Sequence, residues 1–242
     1  MDEEGDLLIL LLNATPENPV DKKLLSSYAE RTFCKQTNSI RFYAWLSFAD
    51  IYKNGLSEFE KKCSSLLNDY KYYISILKLE NWEKRRLSNR INDTNLGLED
   101  NRLMVLIHSD ISRMSRQLIF FSQQENSQKE EGKEGKAVNL ATNCMEQHMR
   151  RIERILYIYA MFNKETAYMQ GFNELIIPFY FVMTRSIEHL KGDYDLAECL
   201  SFNLFIWLMM NGGFVDVYLT SNKPVLMDFL NSFEELMKKH VP

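Results

Sequence analysis

Apolar side chains return every three or four positions through most of this chain, while the residues that punctuate a fold into short segments are scarce. With 9 glycines and 5 prolines among 242 residues, there is too little turn material for a many-stranded sheet. Helices must carry the fold, and the expected class is all-α. Apolar residues make up 45% of the sequence, enough to bury a sizeable core. A formal charge of −4 supplies no concentrated basic face for phosphate backbones, so nucleic acid is not an expected partner.

The four cysteines, Cys34, Cys63, Cys144 and Cys199, are scattered without CxxC spacing, as free thiols in a reducing compartment would be. The apolar run 7–12 is too short to span a bilayer. It follows Asp2, Glu3, Glu4 and Asp6, where a leader would carry positive charge. A cytoplasmic protein without a transmembrane segment is expected.

From 21 to about 80, Leu24, Leu25, Tyr28, Ile40, Trp45, Leu46, Phe48, Ile51 and Tyr52 recur at helical spacing. Asn54-Gly55 offers a stop, and the spacing predicts a helix over 57–73 with Phe59, Cys63, Leu66, Leu67 and Tyr70 inward. Asn, Asp and Gly cluster over 88–100 as a loop would. Residues 122–139, SQQENSQKEEGKEGKAVN, contain one anchoring side chain, Val138, and cannot offset their ordering entropy. They are expected to form a disordered insertion within one domain spanning 1–242. Amphipathic helix resumes with Met145, Met149, Ile152, Leu156 and Tyr159, and further helices are predicted over 173–189, 195–210 and 224–240. Gly212-Gly213 reads as a C-terminal cap, Pro224 as a first helical residue, and Pro178 predicts a kink.

Two short segments carry candidate chemistry. Residues 107–113, IHSDISR, have the form IxxDxxR, and residues 168–173, YMQGFN, have the form YxQGxN. On a helix, Arg113 projects off the stripe of Leu103, Ile107, Ile111 and Met114, and Asp110, one turn earlier, can pair with it and restrict its rotamers. Taken alone, such a pair is an ordinary surface contact. Gln170 falls in the connection after a helix ending near Asn163, beside Gly171, which lets a partner approach the backbone closely. Its neutral amide can donate and accept at once, which suits it to aligning a water. A lone QG step is otherwise a turn.

The joint occurrence of these motifs, in this order, resembles the TBC-domain family of Rab GTPase-activating proteins. Residues 151–183, RIERILYIYAMFNKETAYMQGFNELIIPFYFVM, resemble the central block of that family. Arg41 to Tyr52 with Trp45 looks like its early RxxxW segment, and Glu198 to Met209 with Phe202, Phe205 and Trp207 looks like its aromatic helix. The resemblance covers about four fifths of the chain and implies a multi-helix TBC/RabGAP-type domain.

It further implies that Arg113 is an arginine finger and Gln170 a glutamine finger, with Asp110, Tyr168, Gly171 and Asn173 in support. Both fingers would act in trans on a Rab-family GTPase in its GTP state, with peripheral recruitment to membranes through partners. GTP and Mg²⁺ would be held by that partner. The chain would need no cofactor or metal of its own, and it has no GxxxxGK[ST] loop. Met114 stands where the family has threonine and Phe172 where it has methionine. The final helix looks like one after which the family domain continues, so exposed apolar surface is expected there. The rival expectation is a non-catalytic TBC-fold adaptor or scaffold.

Other residues read more plainly. Cys144 and His148 lie four apart, but no further ligand stands at a metal spacing. Arg150, Arg151 and Arg154 lie mostly opposite the apolar stripe and are expected on a solvated face. Phe202, Phe205, Trp207, Met209 and Met210 are expected in the core. The remaining histidines have no Ser or Cys partner pattern of a nucleophilic triad.

Overall fold

The computed structural model describes residues 7, 11–32, 36–84, 98–114, 134–218 and 223–240. Regular structure among them is helical: α1 (Lys22–Thr32), α2 (Asn38–Phe48), α3 (Leu56–Ile76), α4 (Leu98–Arg113), α5 (Glu134–Phe162), α6 (Phe172–Arg185), α7 (Tyr194–Asn211), α8 (Phe214–Tyr218) and α9 (Lys223–His240). Short 3-10 turns lie at Trp82–Lys84 and Ile187–Leu190. The expected loop over 88–100 falls largely outside the described residues, as does 122–133 of the expected insertion. From Glu134 the backbone is already helical, so α5 begins inside the stretch read as an insertion. Helix α6 runs through Pro178, and Pro224 is the second rather than the first residue of α9.

Caps fix several helix starts. Asp21 Oδ1 accepts from the N–H groups of Lys23 and Leu24, and Asp193 Oδ1 accepts from those of Asp195 and Leu196, satisfying first-turn donors. Gly55 precedes α3 at φ 96°, and a Cβ there would lie 2.5 Å from the Ala14 carbonyl oxygen. The Asn54-Gly55 stop is therefore also a close crossing of two backbones.

Helix α5 is the centre of the molecule. Between His148 and Ala160 every residue except Arg151 is buried, so this helix has no solvated face over that span. Helices α6 and α7 form a wall between two apolar clusters. Phe172, Ile176 and Tyr180 of α6, with Phe202 and Phe205 of α7, face the cluster around α5. Phe179, Val182 and Met183, with Leu200 and Leu204, face the cluster containing Phe42, Leu46, Tyr52 and Phe59. Phe202, Phe205 and Met209 are core as expected and Trp207 is partly buried, but Met210 is exposed because it turns away from both clusters at the end of α7.

Burial of α5 overturns the expected solvated face for its arginines. Arg150 and Arg154 are buried and Arg151 is largely so, because neighbours wrap the helix on every side. Each therefore needs a carboxylate. Arg154 grips Glu198 of α7 with two parallel bonds, Nε to Oε1 at 2.6 Å and Nη2 to Oε2 at 2.7 Å. Its Nη1 donates to Glu83 and to the Leu79 carbonyl. Arg151 and the Tyr70 hydroxyl of α3 also donate to Glu198. Burial pulls the Arg154 guanidinium's pKa down, but Glu198 more than offsets this and holds it above its ordinary value.

Removing Glu198 would leave charged guanidiniums buried without their principal acceptor. We expect Glu198→Ala to lower unfolding stability by about 3–5 kcal/mol. Breaking the exposed pair Lys191–Glu60 should leave the denaturant midpoint unchanged. Equilibrium urea unfolding of the two variants checks both statements.

Candidate functional site

Helix α4 lays Met104, Ile107 and Ile111 into the core beside α5, leaving Arg102, Val105, Leu106, Ser109 and Arg113 outward. Its last residue, Arg113, has a side chain 63% exposed, and a cation at a helix C-terminus meets the favourable end of the backbone dipole. Asp110 is the opposite case, only 3% exposed. A carboxylate so enclosed requires partners, and it has one on each oxygen. Oδ1 accepts from Arg113 Nη2, while Oδ2 accepts from the Tyr168 hydroxyl at 2.8 Å.

That second bond crosses 58 residues and ties IxxDxxR to YxQGxN. Helix α5 ends at Phe162, and the connection that follows is held by its own polar contacts. Asn163 Nδ2 donates to the Tyr159 carbonyl, and the Ala167 N–H donates to the Asn163 carbonyl at 2.7 Å. Ala167 sits at φ 47°, turning the chain so that Tyr168 enters the protein edge-on to Phe172. Burial, then the bond to Asp110, raises the Tyr168 pKa, so its hydroxyl stays a protonated donor.

Gln170 is exposed at the turn into α6. Gly171 caps that helix at φ 103°, where a side chain would be strained although no neighbour would obstruct it. The Gly171 N–H donates to Asn173 Oδ1 at 3.1 Å, and Asn173 Nδ2 reaches the Met114 sulfur. Two side-chain bridges, Asp110–Tyr168 and Asn173–Met114, thus join the segments, with Arg113 and Gln170 left in solvent. Phe172, at the position where the resemblance has methionine, is fully buried among Tyr159, Tyr168 and Phe205. Met114 is both core and sulfur acceptor, which explains how it stands in place of threonine.

Two of the histidines have partners that lie far from them in sequence. Ser112 Oγ, His108 Nε2 and Nδ1, and Glu153 Oε1 form a continuous chain, with separations of 3.3 and 2.6 Å. This has the residue types of a hydrolytic triad, but Ser112 lies inside α4, whose amides serve the helix ladder rather than an oxyanion hole. Glu153 is also shared with Arg150 and Trp82. His108 and Glu153 lie 45 residues apart, so spacing alone could not have paired them. Among the described residues no cluster of His, Cys, Asp and Glu could hold a metal ion. His148, four residues from Cys144, meets the Tyr180 hydroxyl at 2.8 Å.

Burial, then the Arg151 charge, lowers the His148 pKa from 6.5 to about 4. Below pH 6.5 the unfolded chain binds a proton that the folded chain refuses, so stability is lost as the pH falls from 6.5 towards 4. Between pH 7 and pH 5 this histidine should remove about 2 kcal/mol of stability. Urea unfolding of the parent and of His148→Phe at the two pH values should show that difference absent from the variant. For the bridge, Tyr168→Phe should cost about 1–2 kcal/mol, since it leaves one oxygen of a buried carboxylate without its donor.

The comparisons with known proteins agree with the helical architecture. Residues 141–242 match the family model of the Rab-GTPase-TBC domain, a segment that contains Gln170 but not Arg113. A TBC domain-containing protein of Schizosaccharomyces pombe is 40% identical over 63 residues, which is 26% of this chain and 10% of the relative. The chain therefore matches only about a tenth of that relative's length. No solved structure matches the chain.

Proposed function

We propose that this chain is a GTPase-activating protein for a Rab-family small GTPase, with Arg113 as an arginine finger and Gln170 as a glutamine finger, both supplied in trans. The observation that supports the reading best is the buried carboxylate of Asp110, held by Arg113 on one oxygen and by Tyr168 on the other. It joins the two motifs while leaving both finger side chains exposed.

The chemistry follows from what a GTPase lacks. Charge develops on the phosphoryl oxygens in the transition state, and a guanidinium inserted from outside stabilises it. Arg113 suits the task because its guanidinium is held through Nη2 by the buried Asp110 while the side chain as a whole stays exposed, so little rotamer entropy remains to be lost on docking. Gln170 would orient the attacking water, its amide oxygen accepting a hydrogen bond from that water and its amide N–H pointing to the phosphate, without adding charge. Gly171 leaves that approach free of a side chain. GTP and Mg²⁺ stay with the partner, and recruitment to a membrane would come through it. No described helix is long and apolar enough to cross a bilayer. Action in the cytosol and a role in vesicle trafficking belong to this same proposal.

A second reading, a non-catalytic adaptor of the same family, is favoured by α9. Met227, Leu230, Phe233 and Met237 stand exposed along one stripe of that helix, a surface suited to protein contacts. Single-turnover GTP hydrolysis across a panel of Rab proteins separates the two. The parent chain should accelerate hydrolysis by at least one Rab. Arg113→Ala should lower the accelerated rate by about a thousandfold and Gln170→Ala by about a hundredfold. Arg113→Lys should not rescue, because a point charge cannot reproduce the planar fork. Acceleration of no Rab by the parent chain would leave the adaptor in possession.

A further inference from the structure

Apolar burial alone sets the roll of α4 about its own axis only loosely, because the contacts of Met104, Ile107 and Ile111 carry no direction. Directional contacts stand at both edges of that stripe. At about 100° per residue, His108 and Ser112 fall along one edge and Asp110 along the other. On the Asp110 edge the partner is Tyr168. On the His108 edge it is Glu153, fully buried on the central helix α5.

Glu153 cannot follow the imidazole if α4 turns. Its Oε2 accepts from Arg150 Nη1 at 2.9 Å and from Trp82 Nε1 at 3.2 Å, leaving Oε1 for His108 Nδ1 at 2.6 Å. A carboxylate only accepts, so Nδ1 donates, while Nε2 lies 3.3 Å from the Ser112 hydroxyl, which can act as donor or acceptor. The imidazole is gripped on both nitrogens. Arg113 leaves α4 about one and a half turns later, at the end of a long side chain, where a small roll of the helix becomes a large displacement of the guanidinium.

We propose that His108 is a positioning residue: its clasp on Glu153 fixes the roll of α4 and hence the direction in which Arg113 extends. The inference rests on the GTPase-activating reading, and its test separates the two. With a Rab that responds to the parent chain, His108→Ala should lower the maximal single-turnover rate by about tenfold to a hundredfold. The concentration giving half the maximal rate should stay unchanged. In an Arg113→Ala background the same substitution should have no further effect, because the clasp acts only through the arginine. His108→Asn, whose amide N–H can still donate towards Glu153, should recover most of the rate.

An undiminished rate in His108→Ala, or the same fold-loss with and without Arg113, would overturn the proposal. If His108→Ala does not fold, His108→Gln carries the same cycle. If the parent chain accelerates no Rab, the functional reading fails, and the clasp is read by itself from the ¹⁵N shifts of the His108 ring. A protonated, hydrogen-bonded Nδ1 is expected, and an Nδ1 without a proton would sink the clasp.

Discussion

A helix enclosed on all sides cannot leave a charge unanswered, and α5 carries Arg150, Arg151, Glu153 and Arg154 within a single enclosed stretch. Their partners come from nearly every element around it. Glu198 comes from α7, Tyr70 from α3, Glu83 and Trp82 from the turn after α3, and His108 from α4. Apolar contact holds these elements close, but the charge-assisted bonds have direction and decide how each is turned against the centre. Helix α4, which carries Arg113, is one of the elements so oriented. The position of the candidate site is thus a consequence of how α5 satisfies its charges.

At the surface the same logic appears on a smaller scale. Asp110 is a buried carboxylate with two donors, one an exposed arginine, one a buried tyrosine whose proton is held in place by its surroundings. The tyrosine fixes the carboxylate, and the carboxylate restrains the arginine. Asn173 repeats the pattern between Gly171 and Met114. Side chains near the candidate chemistry are therefore preorganised by groups that never need to touch a partner.

Much of this was legible in the residues, and the limits are physical. Periodicity located α3, α6, α7 and α9 because each keeps a regular apolar pattern or a clear stop. The pairing of Asp110 with Arg113 follows from one helical turn. The bond from Asp110 to Tyr168 does not, since nothing local links residues 58 apart. A stripe opposite the apolar one normally faces water, which is why sequence alone points Arg150, Arg151 and Arg154 to solvent. Here α7 and the turn at Trp82 cover that stripe and supply its carboxylate and aromatic partners. His108 carries no local signal because its partner, Glu153, lies on another helix. Gln170 and Gly171 stood out since a glycine at a helix entrance, next to an exposed amide, marks a place where a backbone can be approached.

Arg113 and Gln170 are proposed to act together on a nucleotide held by another protein, and a transition-state analogue tests this most directly. Complex formation with a responsive Rab bound to GDP should be weak alone and tight when aluminium fluoride occupies the γ-phosphate position, as measured by size-exclusion chromatography or calorimetry. Loss of either finger should abolish the tightening. Binding that is equally strong with and without aluminium fluoride, or unaffected by Arg113→Ala and Gln170→Ala, would contradict it.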